Sequence, residues 1–473
     1  MSERRQPRYE AIAQFITELV DKGALEPGAK APSLRDISRQ HRVSVSTAMR
    51  AYQLLEERSV LEVRPQSGHY VATALPKKLE TPAKSKPSSR ASSIRVSQRV
   101  LQLLEYASDP RFIPLGCAIP SPEVLAAGAL DRVLARTARM RGSELNIYTA
   151  PKGDPQLRRE IARRSARWGH VISPDDIAIT CGCTEALLLA LKAVSRPGDT
   201  IAVESPTYFG LLHAIEQLGL KALELPTDAA SGVDISALAR ALKQNRIAAC
   251  LFSSSFNNPL GCSVPDANRV AILDLLSAKK IPLIEDDTYG ELFFGHDRVR
   301  PYSAFDRRGN TIYCGSFSKT IAPGYRLGWI ATDRLMDHVL EQKFSTTLSS
   351  PALSQAALAD FLSSGRYDGH LRRLRRIFAT SIANMSLSVS QHFPAATRLS
   401  RPAGGFALWV ELAGRYDTRR LLSKAMEVGI YFAPGDVFSA DGRFRNCLRL
   451  SCGYGWEPRI QQAVERLGRW PSR

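Results

Sequence analysis

Apolar residues at helical spacing mark the first element of the chain. Ile12, Phe15, Ile16 and Leu19 fall at i, i+3, i+4 and i+7, so a helix here has one apolar face. A second, shorter helix is predicted after Ser33, whose hydroxyl is suited to cap a helix start and is followed three residues later by an acidic side chain. The pattern predicts a small helical unit.

A third helix is predicted from about residue 44 to residue 57, with two different faces. The residues expected to pack inward are Val45, Ala48, Met49, Tyr52 and Leu55. The other face presents Ser46, Thr47 and Arg50, and short hydroxyls with a cation suit the base edges and phosphates of a major groove. Residues 61–71 are β-like with a turn at 65–68, which predicts a wing.

Beyond about residue 96 the pattern changes to short apolar runs separated by amphipathic stretches. The runs IAIT, TIAVESP, AACLF, IPLIEDD and TIYCGS are typical of buried strands, and EALLLALKAVS and VAILDLLSAKK of the helices between them. Strands that alternate with helices predict an α/β domain with a largely parallel sheet. Residues 6–73 and 96–473 are therefore predicted as separate domains.

Residues 74–95 join these two domains. The stretch is rich in Pro, Lys and Ser and nearly free of large apolar residues. Such a composition cannot bury enough surface to fold alone, so it predicts a flexible linker.

The net charge favours nucleic acid as a partner. Of the 473 residues, 64 are Lys or Arg and 46 are Asp or Glu, which gives a formal net charge of +18. The first 100 residues hold 18 basic and 10 acidic residues, a net of +8. This concentration indicates an end that faces nucleic acid, although a solvated basic tail has the same composition.

Cysteine spacing and hydropathy argue against other classes of protein. None of the eight cysteines forms a C-x-x-C pair, which disfavours a zinc site or a secreted disulfide framework and favours reduced thiols. No run approaches the ~20 apolar residues of a membrane-spanning helix, and the first residues are polar rather than a signal peptide. The expected location is cytoplasmic, with no metal and no membrane partner.

The most informative chemical motif follows the apolar run TIYCG. It reads Ser316-Phe317-Ser318-Lys319, and a lysine beside small residues at a strand end can form a Schiff base with an aldehyde cofactor if its pKa is lowered. Alone, such a lysine is usually a surface charge, so its interpretation depends on partners elsewhere in the chain.

Four other segments carry groups that the same cofactor needs. Asp286 and Tyr289 follow a predicted strand, where a carboxylate can keep a pyridine nitrogen protonated and a phenol can donate to a ring oxygen. Asn258 offers an amide on a turn, and Tyr208 can stack on a ring. Residues 180–186 join a strand to a helix whose first N–H groups can cradle a phosphate.

Each segment alone is also typical of a cap, a turn or a common strand–helix junction. Together, their order and spacing resemble the fold-type I aminotransferases, subgroup I, over about residues 110–470. The resemblance implies an α/β pyridoxal-phosphate-dependent transferase fold, with a large part at about 120–335 built on a mostly parallel sheet and a small α+β part at about 336–473. It implies pyridoxal 5'-phosphate as the cofactor.

The same resemblance assigns a role to each site residue. Lys319 would be the catalytic residue and carry the internal aldimine, Asp286 would pair with the pyridine nitrogen, and Tyr208 would stack on the ring. Tyr289 and Asn258 would hold the ring oxygen. The implied phosphate ligands are Gly182, Cys183, Thr184, Ser316, Ser318 and Arg326, with Tyr148 reaching the phosphate of the neighbouring subunit and Arg449 gripping the substrate carboxylate. Cys183 and Thr184 depart from the more usual small residue and Gln, so only their backbone contacts carry over.

The strings PGAKAPSLRDIS, VSVSTAMRAYQLLEE and VRPQSGHYVA resemble the GntR-type winged helix-turn-helix along its whole length. By that resemblance the residues facing double-stranded DNA are Arg35, Ser46, Thr47, Arg50, Arg64, Gly68 and His69. Val45 stands where many GntR heads carry Arg, so one usual contact is missing. A helical domain that binds protein is the alternative.

A GntR head fused to an aminotransferase-like body is the MocR arrangement of bacterial transcription regulators. It implies a homodimer with a shared site, heads that reach across to the partner's body, and an operator with two half-sites. The leading hypothesis is that an amino compound, or the cofactor itself, acts at Lys319 and shifts the dimer between states of different DNA affinity. The alternatives are an active aminotransferase with an autoregulatory head, and a repressor that senses the cofactor alone.

Overall fold

The structure, a computed structural model, describes residues 7–26, 28–57, 60–64, 68–71, 79–94, 96, 101, 105–106, 109–295 and 297–470. The first packed unit is a helical head. Its elements are α1 (Arg8–Asp21), α2 (Leu34–Gln40), α3 (Val45–Glu57), β1 (Leu61–Arg64) and β2 (Gly68–Val71). The two strands pair antiparallel, as the predicted wing requires.

Helix α1 buries the face that its periodicity predicts. Ile12 and Ile16 lie fully inside the head core, and Phe15 packs partly buried against it. The hydroxyl of Ser33 accepts from the Asp36 amide at 3.2 Å, which caps the start of α2. Short helices are marginal alone, so this shared core stabilises the head.

Two residues predicted to pack inward from α3 do not. The buried residues of α3 are Ala48, Ala51, Tyr52 and Leu55. By contrast, 50% of Val45 and 39% of Met49 is exposed. At about 100° per residue, Val45 lies roughly 70° from the centre of the buried stripe, at its margin. Met49 lies roughly 110° from that centre, outside the stripe.

A nine-stranded mixed sheet forms the centre of the body. Its strands are β3 (Ser92–Ser93), β5 (Ile177–Thr180), β6 (Thr200–Ser205), β7 (Lys221–Asp228), β8 (Gly232–Val233), β9 (Ile247–Ser253), β10 (Leu283–Asp286), β11 (Thr311–Ser316) and β12 (Gly328–Ala331). Their spatial order is β3-β7-β6-β9-β10-β11-β12-β5, with β8 beside β7. Strands β7, β6, β9, β10 and β11 are parallel, and β12 is antiparallel to both its neighbours.

Body helices alternate with these strands along the chain, as the pattern predicts, and two more helices follow β12. The helices are α4 (Ala127–Arg141), α5 (Pro155–Ser165), α6 (Gly182–Val194), α7 (Phe209–Gln217), α8 (Ile235–Gln244), α9 (Asp266–Ala278), α10 (Met336–Phe344) and α11 (Ala352–Ser363). In β11, Ile312 and Cys314 pack in one apolar cluster and Tyr313 packs in another. Both faces of the sheet are therefore buried, which explains why its strands are continuous apolar runs.

A smaller α+β part completes the body. Its elements are α12 (Arg366–His392), β13 (Arg398–Leu399), β14 (Ala407–Glu411), α13 (Thr418–Met426), β15 (Ile430–Tyr431), β16 (Ala433–Pro434), β17 (Cys447–Ser451) and α14 (Pro458–Arg469). Four strands form a sheet in the order β13-β14-β17-β16, and β15 pairs with the short strand β4 (Ile113–Pro114). The fold class predicted from the sequence is confirmed.

Residues 79–94 do not form the flexible linker that their composition predicts. They run extended along the body, and we call them the strap. The Glu80 carbonyl accepts from the Leu399 amide at 2.8 Å, Ser85 is buried, and β3 adds to the edge of the large sheet beside β7. Polar residues hold this segment through hydrogen bonds and strand addition, neither of which composition reveals.

No helix in the described part of the chain is long and apolar enough to cross a bilayer. Within the same residues, no group of three or more His, Cys, Asp or Glu side chains is arranged to hold a metal ion.

Candidate functional site

Parallel strands bring the predicted cofactor residues to one edge of the sheet. Strands β6, β9, β10 and β11 all end there, and a cavity of about 230 Å³ opens beside their carboxyl ends. Among the predicted residues, those that line it are Cys183, Thr184, Tyr208, Asn258, Asp286, Tyr289, Ser316, Ser318, Lys319, Arg326 and Arg449. One cavity thus holds most of the predicted site.

Lys319 follows β11 and extends its amine into this cavity. The Nζ atom donates to the Ala118 carbonyl at 2.6 Å. Burial, followed by the nearby Arg449 cation, lowers the pKa of Lys319 to about 8. A larger share of the amine is therefore neutral near neutral pH than in an ordinary lysine, which suits it to attack an aldehyde carbon.

Asp286 ends β10 and is held in place by its neighbour. Its Oδ1 atom accepts from the Thr288 hydroxyl at 2.6 Å and from the Thr288 amide at 3.0 Å. The Cys183 thiol lies 3.7 Å from the same oxygen. Burial raises the pKa of Asp286, because it disfavours the carboxylate in the absence of a cation. The same burial excludes water, so a cationic ring nitrogen beside Asp286 would stabilise the carboxylate through a weakly screened, charge-assisted bond.

Asn258 connects two of the other predicted groups. Its Oδ1 atom accepts from Arg449 Nη1 at 3.2 Å, and its side chain hydrogen bonds with buried Tyr289. Arg449, on β17, is 1% exposed and also donates to the Gly116 carbonyl. Its Nε is buried without a partner among the described atoms. The guanidinium lines the cavity and retains donor capacity.

A phosphate-sized cradle forms at the start of α6. Gly182 has a φ of +77°, and a Cβ there would meet Arg326 Nη2 at 2.6 Å. A Cβ on Gly328 would meet the Gly182 carbonyl carbon at 2.5 Å and the Cys183 amide nitrogen at 2.8 Å. A larger residue at either position would clash, so only glycine allows the arginine and these backbone groups to lie this close together. They lie at a helix amino terminus, which favours anions.

Two serines complete the cradle. The Ser316 hydroxyl donates to the Ser318 hydroxyl at 2.9 Å and accepts from the Ser318 amide at 3.1 Å. A basic cradle, a carboxylate, a phenol and a lysine of lowered pKa are the groups that pyridoxal phosphate requires, so the residues present fit that cofactor.

Tyr148 stands apart from the cavity. It is 81% exposed and lines an open groove together with residues 145–149, 347 and 349–352, and Cys181 borders the same groove next to the phosphate cradle. Within one chain, Tyr148 is not gathered with the other predicted phosphate ligands.

Sequence reasoning missed a wall of the cavity at residues 116–119. The carbonyls of Gly116 and Ala118 accept from Arg449 and Lys319, and the Cys117 thiol, whose pKa burial raises to about 11, lies between them. Thr288 was missed as the partner of Asp286. Every residue type has a backbone carbonyl, so the sequence of residues 116–119 contains no signal for this wall.

The head presents most of its predicted DNA-facing side chains to solvent. Arg35, Ser46 and Arg50 are exposed and Thr47 is partly buried, while Gly68 is exposed at the start of β2. The predicted turn at 65–67 and the side chain of Arg64 lie outside the described residues. The exposed cations and hydroxyls near the start of α3 form a surface suited to a DNA groove.

His69 is a correction to the predicted DNA face. Its ring packs edge-on against Tyr52 at 4.9 Å between centroids, and its Nε2 lies 2.8 Å from the Glu56 carboxylate. Only 17% of the His69 side chain is exposed. It therefore joins the wing to α3 rather than facing DNA, because the alternation of the strand turns it inward.

Two family models match the chain. The model for aminotransferase class I and II matches residues 120–467, and the model for bacterial regulatory proteins of the gntR family matches residues 8–71. The uncharacterized HTH-type transcriptional regulators YjiR and YdcR of Escherichia coli K12 are each 36% identical to this chain, over 461 and 462 residues respectively. Each alignment covers 98% of both proteins.

A solved structure matches the body alone. The α-aminoadipate aminotransferase LysN of Thermus thermophilus, complexed with N-(5'-phosphopyridoxyl)-L-leucine, is 29% identical, with a TM-score of 0.73 over 78% of this chain and 93% of LysN. Membership of the aminotransferase family implies pyridoxal phosphate as the cofactor. The chain therefore belongs to the MocR-type transcriptional regulators, in which a GntR-type DNA-binding head is fused to a class I and II aminotransferase body.

Proposed function

We propose that this regulator changes its affinity for DNA when an amino compound binds at the cofactor in the body. The observation that carries the proposal is the convergence of Lys319, Asp286 and Arg449 on one cavity. These three groups supply a nucleophilic amine, a partner for a ring nitrogen and a carboxylate receptor. All three are groups that a pyridoxal-phosphate site with an amino-acid ligand requires.

Pyridoxal phosphate would supply an aldehyde that exchanges amines and a ring that withdraws electrons. Lys319 would hold it covalently, Asp286 would keep the ring nitrogen protonated, and Tyr289 with Asn258 would hold the ring oxygen. Tyr208 would stack on the ring, since Gly210 leaves room for it: a Cβ at Gly210 would lie 2.4 Å from the Tyr208 ring. The phosphate would rest in the cradle at the start of α6.

Arg449 would orient the ligand. An incoming amino acid brings a carboxylate, and the guanidinium has a buried Nε with no partner among the described atoms. A planar, two-pronged donor fixed by Asn258 and Gly116 suits that group. The Ala118 carbonyl, which accepts from Lys319 Nζ at 2.6 Å, would hold the Lys319 amine whenever that amine is not bonded to the cofactor.

The strap offers a route from this site to the head. The Ser85 hydroxyl donates to the Ser205 carbonyl at 2.6 Å, three residues before Tyr208. Ser205 also donates its hydroxyl to Glu224 at 3.1 Å, and Glu224 pairs with Arg443 at 2.6 Å. A shift of the Tyr208 segment would therefore bear directly on the segment that leads to the head.

The regulator would act as a homodimer, whose two heads bind an operator with two half-sites. Ile147 and Tyr148, 71% and 81% exposed, line the groove that Cys181 borders, so a second subunit seated there would meet the phosphate cradle. Sedimentation should give a dimer. Ile147→Glu should dissociate it, while Val171→Glu, at an 87% exposed position, should not. A wild-type monomer would contradict the dimer.

The rival function is a working aminotransferase with an autoregulatory head. Lys319, Asp286, Tyr208 and Arg449 line one cavity, so transamination is chemically possible. A visible-absorbance titration of the purified protein with a panel of amino acids distinguishes the two. A band that shifts and stays shifted supports a sensor, whereas conversion to the pyridoxamine form with recovery on adding a keto acid supports an enzyme. A protein that takes up no cofactor would overturn both.

A further inference from the structure

The recognition surface of the head contains an apolar pair that its core does not use. Val45 and Met49 are one helical turn apart on α3, and 50% and 39% of them is exposed. Twelve other residues of the head, including Ile12, Ile16 and Leu55, form its buried cluster. Exposed apolar residues scattered singly are ordinary, but these two are neighbours on one face.

The groups around the pair are polar or cationic. Ser46 and Arg50 flank it on α3, and exposed Arg42 precedes the helix. The first turn of α3 contains no acidic residue. The Ser44 hydroxyl lies 2.8 Å from both the Ser46 and the Thr47 hydroxyls, so these three groups already bond to one another. The surface at the start of α3 therefore consists of the apolar pair, with the cations Arg42 and Arg50 beside it.

That combination fits a major groove better than a protein partner. Two side chains cannot supply the roughly 800 Å² per partner that stable protein interfaces bury, and flanking arginines match phosphates. Among base edges in the major groove, the 5-methyl group of thymine is the apolar one. A β-branched valine at the first residue of the helix offers two methyl groups to it at little conformational cost.

We propose that Val45, supported by Met49, contacts thymine methyl groups, so that the head prefers A·T pairs where α3 enters the groove. The inference rests on the proposed DNA binding and adds a chemical basis for its sequence preference. Arg42 and Arg50 would position the helix on the backbone, and the apolar pair would read the bases.

The test uses the full-length protein and duplex DNA that it selects from a random library. Each thymine of the selected duplex is replaced in turn by deoxyuridine, which removes only the methyl group, and Kd is measured by fluorescence anisotropy at one salt concentration. For wild type, at least one replacement per half-site should weaken binding about threefold to fivefold, the value of one buried methyl group.

Val45→Ala should abolish the penalty at that thymine, because it removes the branched methyl groups that contact the base. Comparing both proteins on both duplexes forms a double-mutant cycle, which isolates this contact. Val45→Thr, which keeps the branched shape, serves as a second variant whose folding is not in question, and it should reduce the penalty. Val171→Ala, an equal truncation on the body, should leave it intact. Penalties that persist in both Val45 variants, or no penalty in wild type, would overturn the inference while DNA binding stands. A protein that selects no DNA would overturn the DNA-binding proposal and this inference with it.

Discussion

The hydroxyl of Ser85 donates to the carbonyl oxygen of Ser205 at 2.6 Å and accepts from the Thr227 amide at 3.1 Å. The first bond fastens the strap to the end of β6, and the second fastens it to β7. Tyr208, which lines the cofactor cavity, follows Ser205 by three residues. Both bonds are buried, so losing them leaves polar backbone groups without partners. The joint between the strap and the body is therefore sensitive to a single hydroxyl.

Ser85→Ala should release the strap without unfolding the body. Leaving a buried donor and acceptor unsatisfied costs about 1–3 kcal/mol, so opening of residues 79–94 should become roughly 5 to 150 times more frequent. Hydrogen exchange measured by mass spectrometry follows these residues directly. Ser89→Ala, at an exposed position in the same strap, is the matched control. Equal exchange in both variants would mean that the Ser85 bonds do not hold the strap.

Cofactor uptake by the cofactor-free protein should depend on the protonation of Lys319. Because the pKa of Lys319 is lowered to about 8, the reactive neutral amine is scarce well below pH 8 and predominates above it. The rate of uptake should therefore rise with pH and level off above about 8. Stopped-flow absorbance between pH 6 and 10 measures this profile.

Arg449→Met separates the causes of that low pKa. Removing the cation should move the midpoint of the uptake profile to higher pH, since Arg449 follows burial as the second contributor. Arg445→Met removes an exposed arginine four residues earlier and should leave the midpoint in place. A midpoint that is the same in both variants would place Arg449 outside the electrostatic field of Lys319.

Arg449→Lys should weaken amino-acid ligands selectively. A point charge replaces a two-pronged donor, and the loss of charge-assisted bonds costs about 1.5–3 kcal/mol, a factor of roughly 10 to 150 in Kd. The matching amine without a carboxylate should bind wild type and variant alike, and so should the cofactor. Spectroscopic titration gives all three constants. An equal loss for the amine would show that Arg449 does not recognise the carboxylate.

Breaking a buried ion pair behind the site should strongly destabilise the body. Arg298 pairs with Asp287, with side-chain exposures of 6% and 0%, and the Tyr313 hydroxyl donates to the same carboxylate at 2.7 Å. Arg298→Met should lower the free energy of unfolding by about 3–5 kcal/mol, because it leaves a buried charge without its cation.

The matched control lies two residues along the chain. Arg300 pairs with Asp266 at the surface, where both side chains are about half exposed, at 51% and 49%. Arg300→Met should change the free energy of unfolding by at most about 1 kcal/mol. Urea denaturation compares the two variants, and similar losses would mean that burial does not decide the strength of these pairs.

Sequence reasoning succeeded where a residue type carries its own chemistry. Lys319 and Asp286 could be predicted because a strand end followed by a particular functional group is a local feature, whereas Arg449 came from the resemblance to aminotransferases. All three line one cavity in the structure. The large sheet could be predicted because both of its faces are buried, which leaves continuous apolar runs in the sequence.

It failed where the structure depends on contacts between distant segments. The strap has the composition of a flexible linker, yet the Ser85 hydroxyl meets a strand end 120 residues away. The carbonyls of Gly116 and Ala118 belong to the backbone, so no side chain marks them. Val45 and Met49 were assigned to the core because they are apolar, whereas the angle around the helix places them outside it.

The central claim is that the body controls the head through the Lys319 site. The most direct test measures the Kd of the full-length protein for its selected DNA without cofactor, with pyridoxal phosphate, and with pyridoxal phosphate plus each amino acid that shifts the absorbance. Wild type should change its Kd by at least about fivefold on adding the amino acid, and Lys319→Ala should not respond. A change on adding cofactor alone would identify the cofactor as the effector. A wild-type Kd that is the same under all three conditions, or a Lys319→Ala variant that responds as wild type does, would contradict the account.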